Sequence, residues 1–368
     1  MSEFKRRSWT DLHDGTQDGL VPLKSLDIKN TENFSSLLTA MSQTAFGGRA
    51  LGEAQDVFYN MISDSDCLKV GTFSGAMSVA KMGLLICDMI DWGWVDIIIS
   101  TGALMAHGLI ESVGLTHYKH SPSHSDVDLY ASGYNRIYDT LEMEKNLNHI
   151  EEIISQVLDR LDMEKEPLSS ERFCWELGKY LSEITDQPGI LRNAYLKGVP
   201  VYIPAFTDSE LGLDMATWWV RNILKTKKAN SPEEALDKMA LNFNPFFDLG
   251  SYTRRIIQSS KLGIFTIGGG VPRNWAQQVG PFLDILQYRL KEDLPLKRFS
   301  YGVRICPEPA YWGGLSGCTY SEGVSWGKFV SFEEGGQFAE VLCDATIAWP
   351  ILMAGVHQRI LQEKGYGK

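Results

Sequence analysis

The sequence lacks a long apolar run, and it carries no excess of positive charge. Its longest apolar stretch, residues 92–99, contains Asp96 and is too short to span a bilayer. The first fifteen residues contain a short basic run with no apolar segment after it, which argues against a secretory signal. Because 46 acidic residues outnumber 35 basic ones, the net charge of -11 would repel nucleic-acid phosphates. We therefore predict neither a membrane nor a nucleic-acid partner.

Paired cysteine motifs are also missing. The six cysteines are Cys67, Cys87, Cys174, Cys306, Cys318 and Cys343. None forms a CxxC pair, and most lie in apolar runs, which is typical of reduced thiols in or near a core. This usage predicts a cytoplasmic protein. The sequence also contains no GxGxxG fingerprint, no P-loop, no zinc-ligand spacing and no context for a Ser-His-Asp triad.

Short apolar runs alternate with segments of helical periodicity, and this alternation predicts an α/β fold with a doubly wound, mostly parallel sheet. The predicted strands are residues 67–72, 95–100, 200–204, 262–267, 300–306 and 339–344. The predicted helical segments are residues 34–61, with an interruption at the two glycines 47–48, residues 74–90, and the charged stretch 141–190. Residues 1–35 are polar and weakly patterned. We expect an N-terminal extension there and one domain over residues 36–368.

The predicted strands end in small or polar residues, and parallel sheets bind ligands beyond such ends. Ser74, Thr101, Asp208, Asp344 and three glycines at 268–270 each follow a predicted strand. Glycines let a backbone approach phosphates, hydroxyls donate to them, and an aspartate accepts from ribose hydroxyls. The pattern favours a nucleotide cleft, although a tight strand-to-helix turn explains the three glycines equally well.

Residues 324–329, Val-Ser-Trp-Gly-Lys-Phe, carry the most specific chemical signal. A lysine forms a covalent imine only as the neutral amine, so Lys328 would need a lowered pKa. The face of Trp326 can hold an organic cation, and Glu322 can supply a counter-charge. The segment therefore indicates amine chemistry, with a surface lysine on a turn as the simpler alternative.

Histidines cluster between residues 117 and 128, where His117, His120 and His124 precede two aspartates. Such a group could bind a metal. Because Pro122 and several serines indicate a loop, we favour a solvated loop and predict no metal site. His107 follows a strand end, and its position is compatible with the cleft, the core or the surface.

The 324–329 segment, the glycines at 268–270 and the segment PAFTD at 204–208 together resemble deoxyhypusine synthase. The strand at 95–100, the segment LYASGYNRIY at 129–138 and residues 339–350 follow in the matching order. The resemblance runs from about residue 68 to the C-terminus. The chain is identified as a member of this family, in a form that resembles its bacterial deoxyhypusine synthase-like branch.

The resemblance implies an NAD-binding, Rossmann-like fold and a homotetramer with active sites at subunit interfaces. It implies that NAD takes a hydride from the carbon beside the secondary amine of spermidine. A lysine then attacks the resulting imine, and diaminopropane leaves. The aminobutyl imine passes to an acceptor amine, and NADH returns the hydride. The acceptor is a translation-factor lysine in deoxyhypusine synthases and putrescine in the related homospermidine synthases.

Carried over position by position, the resemblance makes Lys328 the imine-forming lysine, with Trp326 and Glu322 in the polyamine site. Asp214 lies near the family's other polyamine carboxylate, displaced by one extra residue. The positions that match the cofactor site are Ser74, Ser78, Thr101, Asp208, Gly269 and Asp344.

Three features depart from the family pattern. Asn274, which we expect in the substrate site, stands where the family has a histidine, and Leu315 stands where the family has an aspartate. Ala106 and His107 occupy the positions of an acidic pair in the family. The changes at Asn274 and Leu315 alter the polyamine pocket, and the change at Ala106 and His107 falls in the cofactor region, whereas the lysine is retained. Because bacteria generally lack the hypusine-bearing factor, we favour a small polyamine as acceptor. A true deoxyhypusine synthase and a non-catalytic NAD-binding relative are the alternatives.

Overall fold

The computed structural model describes residues 7–163 and 165–365. Residues 7–33 contain two 3-10 turns, Trp9–Asp11 and Ile28–Asn30. The α-helices of the described residues are α1 (Phe34–Ser42), α2 (Phe46–Ser63), α3 (Gly83–Asp91), α4 (Gly102–Ser112), α5 (Asp126–Ala131), α6 (Glu144–Asp159), α7 (Ser170–Ile184), α8 (Ile190–Lys197), α9 (Glu210–Lys225), α10 (Pro232–Asp237), α11 (Pro245–Gln258), α12 (Gly270–Gln277), α13 (Val279–Leu290), α14 (Tyr320–Ser325) and α15 (Ala345–Glu363). The strands are β1 (Cys67–Phe73), β2 (Ile97–Ser100), β3 (Tyr118–Lys119), β4 (Tyr134–Ile137), β5 (Thr140–Met143), β6 (Val201–Tyr202), β7 (Lys261–Ile267), β8 (Phe299–Ile305) and β9 (Gln337–Val341).

Six of these strands form one parallel sheet in the order β6-β2-β1-β7-β8-β9. All six correspond to predicted strands, so the prediction of a parallel sheet is confirmed. From β1 the chain winds outward through β2 to β6, then crosses back to β7 and continues through β8 to β9. The direction of winding therefore reverses between β1 and β7. Such a reversal opens a crevice beyond the carboxyl ends of the two central strands.

Helices cover both faces of this sheet, which confirms the doubly wound arrangement. Along β2 the side chains alternate between two cores: Ile98 packs into the larger one, while Ile97 and Ile99 pack into the smaller one. In the same way, Phe265 of β7 faces the larger core and Ile264 the smaller. Strands buried on both faces read as continuous apolar runs, which is why the sequence pattern located them.

The predicted helix at 74–90 begins later than expected, because α3 starts at Gly83. Two residues in the preceding segment adopt left-handed backbone angles, Gly75 with φ 73° and Lys81 with φ 64°. A right-handed helix cannot pass through such residues. The segment 74–82 is instead a series of turns at the edge of the crevice.

The predicted helix at 34–61 breaks before its glycine pair rather than at it. Its first part, α1, ends at Ser42, and α2 begins at Phe46, so both Gly47 and Gly48 lie inside α2. The glycine that matters for packing is Gly52, where an added Cβ would lie 2.3 Å from the backbone nitrogen of Ser42. The two helices therefore approach closely at this point.

Within the stretch 141–190, the helical prediction holds for α6 and α7 but is wrong at its beginning. Residues Thr140–Met143 form β5, the central strand of a small antiparallel sheet in the order β3-β5-β4. The charged residue Glu142 on β5 is buried, which a helical pattern could not foretell.

The six cysteines are all free thiols, four of them buried, as predicted from their apolar surroundings. Among the described residues, no helix combines the length and the apolar character needed to cross a membrane.

Candidate active site at Lys328

Lys328 follows a short helix that ends in a glycine turn. Helix α14 is capped at its C-terminus by Trp326, and Gly327 adopts a left-handed conformation with φ 69°. This turn reverses the chain, so that the backbone of Lys328 lies beside the start of β8. Its carbonyl oxygen accepts a hydrogen bond from Phe299 at 2.9 Å, and its nitrogen donates to Gly323. The backbone of Lys328 is therefore fixed on both sides.

The side chain of Lys328 is 7% exposed and lies at the end of a cavity. Its Nζ donates to Oδ1 of Asn274 at 3.1 Å, and it lies 5.8 Å from the centre of the Trp326 ring. The simpler alternative of a surface lysine on a turn is therefore wrong. Helix α12 supplies the amide, and α14 with its turn supplies the amine and the indole.

Electrostatics at this position favour the neutral amine. Burial lowers the pKa of Lys328 from its ordinary value of 10.5, and the positive charge of Arg273 acts in the same direction. Cys318 and Glu322 act in the opposite direction but leave the net shift downward. A neutral amine is the form that can attack an electrophilic carbon.

The cavity in front of Lys328 has a volume of about 390 Å³. Its lining residues are Asn274, Gln278, Ala310, Gly313, Gly314, Leu315, Cys318, Glu322, Trp326 and Lys328. The structure thus brings together four of the five polyamine-site residues proposed from the sequence. Trp326 is 63% exposed and Leu315 is 47% exposed, so both lie at the open side of the cavity.

Asp214, the fifth of these residues, does not line this cavity. It lies on α9, where burial raises its pKa to about 7, and repulsion from Glu151 and Glu210 adds to the shift. A carboxyl group in this setting gains from a cation placed beside it.

Ser74 and Gly269 lie where the winding of the sheet reverses, immediately after β1 and near the end of β7. The Ser74 hydroxyl donates to the carbonyl oxygen of Gly269. A Cβ on Gly269 would lie 2.6 Å from Cα of Ser316, so this position needs glycine for close packing. The turn itself is made by the neighbouring glycines, Gly268 with φ 75° and Gly270 with φ 56°.

Two further predicted cofactor residues connect neighbouring segments of the same edge. Thr101 is the N-cap of α4, and its hydroxyl donates to the carbonyl oxygen of Gly75 at 2.7 Å. Ser78 is buried and donates to the carbonyl oxygen of Leu104 at 2.7 Å. Both hydroxyls therefore hold the turns that form one wall of the crevice.

The two predicted aspartates at this edge are exposed. Asp344 is the N-cap of α15 and accepts from the backbone nitrogen of Thr346 at 2.7 Å. Asp208 lies on the loop between β6 and α9. An exposed carboxylate at a strand end can accept hydrogen bonds from ribose hydroxyls.

The sequence interpretation missed a buried charged cluster formed by His107, His117 and Glu142. His107 Nδ1 lies 2.6 Å from one carboxylate oxygen of Glu142, and His117 Nε2 lies 3.4 Å from the other. The prediction of a solvated loop is wrong for His117, because the pairing of β3 with β5 turns it inward. It holds for His124, which is exposed. Only the small antiparallel sheet brings Glu142 to the two histidines.

The cluster has further charged neighbours, because Lys81 pairs with Glu111 at 2.7 Å and Nε2 of His107 lies 3.8 Å from Glu210. Nζ of Lys81 donates to Nδ1 of His117 at 3.0 Å, so Nε2 of that ring carries the proton that points towards Glu142. Burial opposes charge on both partners, yet the pairing raises the pKa of His107 and lowers the pKa of Glu142. The ligand-type atoms lie within 4.8 Å of one another, a spacing that a metal ion could bridge. Because the Lys81 ammonium lies against Nδ1 of His117 and Glu142 raises the pKa of His107, we favour an ion network over a metal site.

Comparison with known proteins identifies the family of the chain. A family model described as deoxyhypusine synthase matches residues 36–356. The chain belongs to the deoxyhypusine synthase family. Members of this family transfer an aminobutyl group from spermidine. "Probable deoxyhypusine synthase 1" of Methanosarcina acetivorans is 31% identical over 95% of this chain and 99% of its own length.

Other relatives agree with this assignment. The "Deoxyhypusine synthase-like protein" of Chlorobaculum parvum is 31% identical over 90% of this chain and 88% of its own length. The crystal structure of a "putative deoxyhypusine synthase" from Entamoeba histolytica superposes with a TM-score of 0.56 at 14% identity, covering 90% of this chain and 96% of that chain. The last similarity concerns the fold alone.

Proposed function

We propose that this protein is an NAD-dependent aminobutyl transferase that carries the four-carbon unit of a polyamine such as spermidine as an imine on Lys328. The acceptor we propose is a small polyamine, which makes the enzyme similar to homospermidine synthase. One observation carries the proposal: a buried lysine with a lowered pKa ends a cavity that also exposes an indole and a carboxylate. Membership of the family supports the same chemistry.

Each residue of the cavity would have its own role in the reaction. Glu322 attracts an ammonium group of the substrate, and the Trp326 ring lies along its methylenes. Asn274 accepts a hydrogen bond from the Lys328 amine and so fixes the position of Nζ. The neutral Nζ attacks the imine carbon of the oxidised polyamine, and diaminopropane leaves. The acceptor amine then attacks the lysine imine and releases Lys328.

The carboxyl edge of the sheet is where we propose that a dinucleotide binds. The winding reverses between β1 and β7, α4 begins just after the neighbouring strand β2, and the exposed Asp208 and Asp344 follow β6 and β9, the outermost strands on either side. NAD, when bound, would accept a hydride from the substrate carbon and return it at the end of the reaction. The chain's own contribution would be to hold the substrate carbon close to Lys328.

We further propose a cytoplasmic homotetramer with active sites at subunit interfaces. Asp214 supports this arrangement. Its pKa of about 7 fits a carboxyl group that a bound cation would stabilise as the carboxylate. It does not line the Lys328 cavity of its own subunit. In an assembled tetramer it would complete the polyamine site of a neighbour. Leu315 at the cavity mouth, where the family has an aspartate, favours an acceptor other than the family's usual one.

The proposal is tested with purified protein, NAD and spermidine. We expect release of diaminopropane by the parent protein and none by Lys328→Ala. Added putrescine should yield homospermidine, which mass spectrometry detects. Release by the alanine variant at the parent rate would contradict the lysine mechanism.

A true deoxyhypusine synthase is the second candidate, and the name of the Methanosarcina acetivorans relative favours it. Labelling of a translation-factor lysine, together with no homospermidine, would support it. If NAD binds but diaminopropane is never released, the third alternative, a non-catalytic NAD-binding relative, gains support.

A further inference from the structure

Arg273 is a buried cation without a buried counter-charge. It lies on α12 immediately before Asn274, and its side chain is 1% exposed. Its Nη1 donates to the carbonyl oxygen of Cys318 at 2.7 Å, whereas Nε and Nη2 have no hydrogen-bond partner. No carboxylate among the described residues forms a salt bridge with it; its guanidinium lies 5.3 Å from the centre of the Tyr320 ring. Such a group is costly to bury.

A neighbouring arginine shows that the fold can neutralise such a charge. Arg304 on β8 is equally buried and also donates to the carbonyl oxygen of Cys318, at 2.9 Å. Unlike Arg273, it pairs with a carboxylate, because its Nη2 donates to Glu340 at 2.6 Å. Two guanidinium groups thus hold one carbonyl oxygen, and only the one on β8 has a salt-bridge partner.

We propose that Arg273 is a positioning residue for Lys328. Its uncompensated charge disfavours a second positive charge on the amine, and its hydrogen bond fixes the cavity wall at Cys318. This inference rests on the proposed function of Lys328, since only a nucleophilic lysine needs to stay neutral. This role accounts for the burial of the Arg273 cation next to a site that we propose binds cations. Burying this charge lowers the stability of the fold.

The groups around Lys328 support this role. Arg273 and Asn274 are consecutive on α12, so one helix turn directs a charge to the interior and an amide to the amine. The other charged or titratable groups facing the amine are Cys318 and Glu322, which favour the protonated form. After burial itself, Arg273 is the group that opposes them.

The test measures the protonation of Lys328 without polyamine or NAD. Purified protein is exposed to formaldehyde and a borane reductant at a series of pH values, and mass spectrometry follows methylation of the peptide that contains Lys328. We expect Arg273→Met to raise the midpoint of this titration and to lower methylation at pH 8 by roughly tenfold, the change that one nearby buried charge produces. Arg273→Lys, which keeps the charge, should restore most of the reactivity.

Arg298→Gln is the matched control, because it removes one positive charge from an exposed pair with Glu334. It should leave the Lys328 midpoint unchanged. An Arg273→Met midpoint equal to that of the parent protein would overturn the proposal. If Arg273→Met does not fold, Arg273→Gln is measured in the same way, and a midpoint equal to that of the parent protein would overturn the proposal.

The outcomes separate this inference from the proposed function. A shifted midpoint in a protein that never releases diaminopropane would retain the role of Arg273 and reject aminobutyl transfer. An unshifted midpoint in a protein that does release diaminopropane would reject the role of Arg273 and retain the transfer.

Discussion

The chain buries basic side chains in two places, and the partners of these side chains differ. In the cluster of His107, His117 and Glu142, the carboxylate lies 2.6 Å from one ring, and the three side chains are closed off from solvent. At Lys328 the hydrogen-bond partner of the amine is a neutral amide, the nearby guanidinium of Arg273 repels a charge, and a cavity opens in front. The first arrangement raises the pKa of its histidine, and the second lowers the pKa of its lysine.

This difference separates stability from reactivity. A buried cation beside a buried carboxylate stays charged and links the elements that carry the two groups. A buried amine whose hydrogen-bond partner is a neutral amide has a lowered pKa, so a larger share of it is the neutral nucleophile. Both sites therefore combine burial with one close partner, a carboxylate at His107 and an amide at Lys328.

Glu142→Gln would break the closed cluster and should have the largest effect on stability. His107 would lose its nearest carboxylate and keep only the more distant Glu210, which lies 3.8 Å from its other ring nitrogen. We expect a loss of about 3 kcal/mol in the free energy of unfolding, measured by urea denaturation. Glu334→Gln, which removes a carboxylate from an exposed pair with Arg298, should cost clearly less. Equal losses in the two variants would contradict the comparison.

The same cluster predicts how stability depends on pH. The pKa of His107 is raised on folding, so its contribution is complete below its ordinary value of 6.5 and is lost as the pH rises through the folded value. The pKa of Glu142 is lowered, so its contribution is complete above its ordinary value of 4.5 and is lost as the pH falls through the folded value. The cluster should therefore stabilise most between about pH 4.5 and 6.5.

Thermal melting at pH values within, below and above this window tests the prediction. The parent protein should lose on the order of 1–2 kcal/mol of cluster stabilisation outside the window, and Glu142→Gln should show a flatter profile. Parallel profiles for the two proteins would show that other groups control the dependence.

Asn274→Asp would give Lys328 a carboxylate partner, as His107 has in the cluster of His107, His117 and Glu142. It places a carboxylate where the amide oxygen now lies, 3.1 Å from the amine of Lys328. The pKa of Lys328 should rise, and its methylation at pH 8 should fall about tenfold, corresponding to roughly 1.4 kcal/mol. Asn274→Ala is the control, because it removes the hydrogen bond without adding charge. A larger loss in the alanine variant would assign the effect to positioning instead.

Lys328→Met should have the smallest effect on stability. The amine is buried without a carboxylate partner, so an apolar side chain of similar length loses little and removes a desolvation cost. We expect a change within about 1 kcal/mol, in either direction, by urea denaturation. A loss near that of Glu142→Gln would mean that Lys328 holds the fold together as the cluster does.

The sequence allowed the sheet and the lysine to be predicted for different reasons. The six strands are apolar on both faces, so their pattern is continuous and visible. Lys328 was recognisable because its partners Glu322 and Trp326 lie within six residues of it. Both features depend on residues that are close together along the chain.

What the sequence could not show depends on long-range packing. Glu142 reads as part of a charged helical stretch, and only its place in β5 brings it to His107, which is 35 positions earlier in the numbering. The start of α3 depends on the left-handed angle of Lys81, which no residue type announces. The buried, uncompensated charge of Arg273 likewise appears only once α12 has packed against the Cys318 loop.

The most direct test of the central claim is to trap the covalent intermediate. The protein is incubated with NAD and spermidine, reduced with borohydride and digested, and the peptide that contains Lys328 is analysed by mass spectrometry. The account predicts an aminobutyl adduct on Lys328, which disappears when NAD is omitted. Release of diaminopropane with no adduct on Lys328, or with the adduct on another lysine, would contradict it.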